Sequence, residues 1–149
     1  MQLTKSRTTG NSKLAIRTHY NLVCNVESFL HRRYLKRKPP QETVLNTFKF
    51  YGTMFLTDGL LMPLKARQKT VFMSKFDMQG MLQAVRVFRP TVMTIPKHVL
   101  QELLVYEDKP DLSSVQSIVT GGASIPLSLC TDWRERYGQP VLTTYGMTE

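Results

Sequence analysis

Cysteine, histidine and long apolar runs are scarce in this chain of 149 residues, and each shortage removes a class of explanation. Its two cysteines, Cys24 and Cys130, stand far apart, without metal-ligand spacing or a disulfide framework. Both have apolar neighbours in sequence, so buried, reduced thiols are expected. Of the three histidines, His19 is expected to help order the start of a helix. His31 and His98 show no ligand spacing and are expected to be structural or solvent-facing. No apolar run reaches the roughly 18 residues that cross a bilayer; the one around Gly59-Leu60-Leu61-Met62 is stopped by Pro63. The first residues (Thr4, Lys5, Ser6, Arg7) are polar and carry no signal-peptide apolar region, so no secretion is expected. There is no internal repeat and no low-complexity tract.

What is present is ordinary for one globular domain: 42% hydrophobic and 21% charged residues, enough to bury a core. The net charge of +9 favours anionic partners, whether nucleic acid, membranes or phosphorylated ligands. Much of the excess lies between His31 and Lys38. We read that run as a solvated helix end followed by a loop at Pro39-Pro40, since helix C-termini favour cations. An RNA-contacting strip is the alternative, but no aromatic stacking platform accompanies the charges.

Strand-like and helix-like patterns alternate along the chain. Leu14-Ala15-Ile16 reads as a short strand, and Leu22, Val23, Val26, Phe29 and Leu30 recur at helical spacing. Val44 to Phe48 reads as a strand, Met54 to Leu61 as a buried helix, and Thr70 to Met73 as another strand. Asp77 suits an N-cap, with Met78, Met81, Leu82, Val85 and Phe88 on one face behind it and Pro90 past its end. Thr91 to Ile95 is β-branched and strand-like, and Pro96 suits the first turn of a helix carrying Val99, Leu100, Leu103 and Leu104. Val115 to Val119 (strand), Pro126 to Tyr137 (helix) and Val141 to Thr144 (strand) complete the series. The fold class is therefore α/β with a mainly parallel sheet. Ligands of such sheets sit at the carboxyl ends of strands. Three glycine turns occupy that kind of position: Thr8-Thr9-Gly10, Thr120-Gly121-Gly122-Ala123 and Tyr145-Gly146-Met147-Thr148-Glu149.

The stretch Ser6-Arg7-Thr8-Thr9-Gly10-Asn11-Ser12-Lys13 combines hydroxyls, a glycine turn and a lysine, groups able to surround phosphate oxygens, though it is not a Walker loop. Thr18-His19-Tyr20-Asn21 follows, then Gly121-Gly122-Ala123, then Tyr145-Gly146-Met147-Thr148-Glu149. With these four elements in this order the chain resembles the adenylate-forming, AMP-binding superfamily. It looks most similar to plant 4-coumarate–CoA ligase and related acyl-CoA ligases, a likeness helped by Phe48-Lys49-Phe50-Tyr51-Gly52, Met73-Ser74-Lys75-Phe76-Asp77 and Asp111-Leu112-Ser113-Ser114.

The resemblance implies part of the large N-terminal domain of such an enzyme over residues 1–149, with an N-terminal segment and a mobile C-terminal domain expected to be absent. It implies ATP-dependent activation of a carboxylic acid to acyl-AMP and transfer to coenzyme A, with Mg²⁺. By resemblance Ser6, Thr8, Thr9, Gly10 and Lys13 line the phosphate loop, and Thr148 donates to the α-phosphate; Lys13 and Thr148 are the implied catalytic residues. Glu149 holds Mg²⁺, while Gly121, Gly122 and Ala123, with Tyr145 and Gly146, bind the nucleotide. Lys49 and Tyr51 face the acyl group and Lys75 meets a coenzyme A phosphate. The implied setting is the cytoplasm or peroxisome, without a membrane span.

Five positions depart from the family pattern. Arg7 stands in place of glycine, Leu14 replaces the glycine after the lysine, Lys49 replaces a histidine, and Thr143-Thr144 replaces a Gln-Gly pair. The isolated chain is therefore expected to be inactive, and to associate through exposed sheet edges or with an intact ligase. A non-catalytic nucleotide- or coenzyme-A-binding module is the alternative reading. A basic nucleic-acid-associating protein is a second, resting on the charge run alone.

Overall fold

The computed structural model describes residues 2–6, 13–34 and 41–147, with side chains over 15–32 and 41–147. It begins with a strand the hydrophobic pattern did not announce. β1 (Gln2–Ser6) pairs antiparallel with β2 (Lys13–Arg17), and Ser6 lies opposite Lys13. Thr4, Lys5 and Ser6 are all polar, so the alternation that would mark a strand is weak there.

α1 (His19–Tyr34) follows, opened by a reciprocal cap. The Asn21 backbone N–H donates to the Thr18 hydroxyl at 3.1 Å, while the Thr18 N–H and hydroxyl donate to Asn21 Oδ1 at 3.1 and 2.8 Å. Thr18 and Asn21, rather than His19, order this start. The helix ends at Tyr34, inside the basic run; Leu35 to Pro40 lie outside the described residues.

Five short strands then form one parallel sheet. β3 (Thr43–Asn46) leads through a π-helical segment, Phe55–Leu61, and a single turn, α2 (Met62–Lys65), to β4 (Lys69–Phe72). α3 (Met78–Phe88), β5 (Val92–Thr94), α4 (Lys97–Val105), β6 (Ser117–Gly121), α5 (Leu127–Tyr137) and β7 (Val141–Thr144) complete the series. The strand order is β4-β3-β5-β6-β7, every neighbouring pair parallel. The expected buried helix over Met54 to Leu61 is thus π-helical, with Pro63 supplying a reason: it has no N–H to donate and its ring crowds an α-helical carbonyl one turn back. Gly59 has a second role, since a Cβ there would overlap the buried Asn46 side chain on β3.

One sheet face carries Leu45, Met93 and Ile118 against α3, α4 and α5, forming the main core with Met81, Val85, Val99, Leu100, Leu103 and Trp133. The other face, Val44, Val92 and Val119, is smaller and lies under the π-helical segment and α2. α1 packs outside these. Of its apolar positions only Val26 is buried, whereas Val23 is 57% exposed. This corrects the expectation for the thiols: Cys24 is exposed and Cys130 half-buried. Cys24 sits two residues from both Leu22 and Val26, about 200° around the helix from the side they turn inward. Its thiol is hydrogen-bonded beside Tyr20, which raises the phenol above its usual value.

Local signals mostly hold. Asp77 Oδ1 accepts from the Gly80 N–H at 2.6 Å and caps α3. Pro96 stands at the N-cap of α4 rather than in its first turn. α3 ends on Arg89 in the left-handed region (φ 47°), where the side chain reaches Asp111 at 3.0 Å and Ser113 at 3.0 Å. Hydrogen bonds from Ser113, then Arg89, hold the Asp111 carboxyl down at about 2 from an ordinary 3.8. A depressed carboxyl stabilises fully above its unfolded value and loses that contribution as pH falls through its folded value. Thermal melts of wild type and Asp111→Asn should therefore differ at about pH 5, draw together as pH falls towards 2 and converge only below it. A gap that persists unchanged into the more acid range contradicts the assignment.

Candidate functional site

The sheet's strand order reverses at β3, so the crevice between the ends of β3 and β5 is the first place to look for a ligand. The backbone ladder continues across it: the Thr47 N–H donates to the Thr94 carbonyl at 3.1 Å. The open space lies further along the same rim, at the tips of β6 and β7.

There a cavity of about 550 Å³ is lined by Gly122, Ala123, Ser124 and Ile125 from one tip and by Thr143, Thr144, Tyr145 and Gly146 from the other. Tyr145 is 89% exposed, so an aromatic face and nearly bare backbone flank the same space. The two glycines differ in their reasons. Gly121 is the last residue of β6, paired with Thr144, and a Cβ on it would overlap the Thr144 hydroxyl and come within 2.7 Å of the Thr144 carbonyl oxygen. Gly122 takes φ +76°, a conformation that favours glycine, and a Cβ there would meet nothing within 4 Å. The structure therefore brings Gly121, Gly122 and Ala123 together with Tyr145 and Gly146, while making Gly121 part of a strand rather than of the turn.

A second cavity, about 410 Å³, lies on the other side of the β7 tip. Arg17 of β2, Asn21 and Asn25 of α1, Thr53 and Asp58 near the π-helical segment, and Thr144 to Met147 line it. Arg17 donates to the Thr53 hydroxyl at 3.3 Å, tying the N-terminal ribbon to this wall. Ser6 and Lys13 end their strands opposite each other; Arg7, Thr8, Thr9 and Gly10 lie outside the described residues, as do Thr148 and Glu149. Among the described residues no group of three or more His, Cys, Asp or Glu side chains is placed to hold a metal.

Lys49 and Tyr51 line neither cavity. They sit on the loop after β3, where the Lys49 ammonium lies 5.8 Å from the centre of the Tyr51 ring and Tyr51 is 80% exposed. Beside them is a group the sequence reading missed: Phe50, Phe55 and Phe72, with ring centres 4.7, 5.1 and 6.3 Å apart pairwise. Phe50 and Phe55 are near in sequence, but Phe72 arrives only through the β3–β4 pairing, which no local pattern announces. Lys75 is exposed on the loop after β4, the opposite edge of the sheet from β7. Four strand spacings, about 19 Å, separate those edges.

A parallel sheet with glycine turns at its carboxyl rim has the general build of α/β domains whose ligands sit outside the strand ends. The family model described as "AMP-binding enzyme" matches residues 6–149, and the chain belongs to that family. It is 32% identical over 155 residues to a probable CoA ligase of Humulus lupulus, covering 99% of this chain and 27% of that protein. It is 29% identical over 151 residues to 4-coumarate–CoA ligase-like 4 of Oryza sativa subsp. japonica, again 99% of this chain and 27% of the relative. Among solved structures, O-succinylbenzoate coenzyme A synthetase from Bacillus subtilis, in complex with ATP and magnesium ion, superposes with a TM-score of 0.82 at 26% identity, covering 99% of this chain and 30% of that one. The chain thus spans about 27% of the length of these curated relatives. Among the described residues no helix is long and apolar enough to cross a membrane.

Proposed function

We propose that this chain supplies the nucleotide-binding part of an ATP-dependent carboxylate–CoA ligase of the 4-coumarate–CoA ligase-like kind. In that reaction a carboxylate oxygen bonds to the α-phosphorus of ATP as the bond to pyrophosphate breaks. The coenzyme A thiol then attacks the acyl carbon, and AMP leaves. The observation that carries the reading is the cavity where the β6 tip meets Tyr145 and Gly146. Its fit to a flat base rests on Gly122, above which a Cβ would find open space, and on the exposed Tyr145 ring. In this reading Ser6, Thr8, Thr9, Gly10 and Lys13 surround the phosphates, where the positive charge and donors stabilise the negative charge that builds on phosphoryl oxygen. Thr148 donates to the α-phosphate, and Glu149 is the carboxylate suited to Mg²⁺, whose role is to neutralise phosphate charge. Lys75 takes a coenzyme A phosphate. The Phe50–Phe55–Phe72 group next to Tyr51 supports an aromatic or long apolar acid over a small polar one.

Calorimetric titration with ATP·Mg²⁺ and with AMP tests this. Binding with Kd below about 1 mM is expected for both, and no heat at millimolar ligand contradicts it. A non-catalytic nucleotide module is the second reading, favoured by Lys49 and Thr144 standing at departures from the family pattern. Pyrophosphate release on adding a carboxylic acid, measured with the chain joined to the remaining length of a relative, separates the two, being present for a ligase and absent for a binding module.

A further inference from the structure

β7 stands last in the strand order, so among the described residues no strand pairs with its outer side. The Ile118 N–H donates to the Pro140 carbonyl at 3.0 Å, and Ile118 lies opposite Val141. The alternation of a parallel ladder then turns the N–H and carbonyl of Val141 and Thr143 away from β6. An outer edge of this sort invites another strand, and proteins commonly blunt it with lysine, proline or a covering element. The opposite edge, β4, begins with an exposed charge, Lys69. β7 has no such device: Val141-Leu142-Thr143-Thr144 is uncharged, suits extended backbone and leaves Leu142 47% exposed. Beside it runs a groove of about 540 Å³ between α5 and the strand, lined by Leu127, Cys130, Arg134, Glu135 and Val141 among others.

We propose that β7 is the docking edge for a second copy of this chain, the two β7 strands pairing antiparallel about a two-fold axis. The occupant is extended, because a strand is what satisfies outward N–H and carbonyl groups at every second residue. The register that uses both outward residues of each copy is centred on Leu142. In it Val141 exchanges both hydrogen bonds with the second copy's Thr143, Thr143 does the same with the second copy's Val141, and Leu142 meets Leu142. A two-fold contact needs a self-complementary patch, and this edge is one. Leu142 falls at the position without hydrogen bonds, where Cα atoms approach to about 4.5 Å and side chains pack closely. The net charge of +9 opposes the meeting of two copies. The edge itself is neutral, however, and the groove beside it holds one cation, Arg134, and one anion, Glu135, so each copy offers the other an opposite charge. Pairing joins two five-stranded sheets and uses up both β7 edges, so association stops at two. None of this depends on the nucleotide reading.

Sedimentation equilibrium of the full chain tests this. Wild type is expected to form a dimer with Kd below about 100 µM and nothing larger. Leu142→Lys sets two ammonium groups opposite each other, and Thr143→Pro removes an outward N–H while sparing the ladder to β6. Each is expected to raise Kd at least about 10-fold. Leu64→Lys, on the exposed apolar surface where α1 meets α2, is the control and is expected to leave Kd unchanged within about twofold. Dissociation by Leu64→Lys but not by Leu142→Lys assigns the contact to that other surface and overturns the proposal. A wild-type monomer well above about 100 µM, or growth past the dimer, overturns it too. Should Thr143→Pro lose the far-ultraviolet circular dichroism of wild type, Leu142→Lys, at a side chain already half exposed, decides alone. A monomer leaves the nucleotide proposal standing, since calorimetry with ATP·Mg²⁺ reads that separately.

Discussion

Trp133→Ala is expected to cost about 3–5 kcal/mol of folding stability, the upper range for one core truncation. Trp133 is fully buried on α5, at the centre of the larger core. Its ring lies against Tyr137, with centres 4.4 Å apart and planes tilted 35°. Tyr137 in turn donates its hydroxyl to the Leu103 carbonyl at 2.7 Å, which ties α5 to α4. Alanine at 133 would therefore leave a cavity and also release the ring that positions this tie. Domains of this kind have only about 5–15 kcal/mol in total, so this one truncation would remove a large share of it. The indole nitrogen has no hydrogen-bond partner among the described residues, so Trp133 is there for volume. Trp133→Phe, which removes the unpartnered N–H and keeps a ring, should cost roughly half as much or less. Urea midpoints of the three proteins check this. A loss below about 1.5 kcal/mol for the alanine variant would show that the α5 layer is not well packed.

Gly121→Ala is expected to be the most damaging substitution at the candidate site. The new methyl group would overlap the Thr144 hydroxyl and lie 2.7 Å from the Thr144 carbonyl oxygen. A side chain can rotate away, but that carbonyl belongs to the strand paired with Gly121 and moves only if β6 and β7 separate. Overpacking of this kind costs about 1–3 kcal/mol. Because both strand tips line the 550 Å³ cavity, nucleotide affinity should fall by about 10-fold or more with it. Gly122→Ala separates close approach from backbone conformation. Its methyl meets no atom, and its cost, about 1–2 kcal/mol, comes from φ +76° alone. Adding Thr144→Gly should recover part of the Gly121→Ala loss and none of the Gly122→Ala loss. Equal rescue of both, or of neither, would contradict the contact geometry.

Much of this architecture is legible where local chemistry decides. Asp77 announces the start of α3 because an N-cap needs a short side-chain acceptor, and its bond to Gly80 is made as expected. The alternation of strands and helices gives the parallel sheet, and the glycine turns fall at its carboxyl rim. What escapes is decided by partners distant in sequence. β6 begins at Ser117 rather than Val115 and runs on to Gly121, because pairing with β7 extends that far. α1 has the spacing of an amphipathic helix yet buries only Val26 among its apolar side chains, which is why Cys24 is exposed. Hydrophobic period states which side of a helix is apolar, not whether anything lies against it. Lys49 and Tyr51 share a motif with Phe50, but the loop turns them outward and the aromatic contacts go to Phe55 and Phe72. Thr144 reads as a departure in sequence; its contact with Gly121 and its place in the lining of both cavities come only from strand pairing.

A nucleotide, on the function proposed above, sits where the β6 and β7 tips meet. Amide chemical shifts of the full chain, followed while ATP·Mg²⁺ is added, test it residue by residue. Saturable shifts at Gly122, Ala123, Tyr145 and Gly146, with His31 and Arg32 unmoved, are the predicted result. Shifts confined to the basic end of α1, or none at millimolar nucleotide, would contradict it.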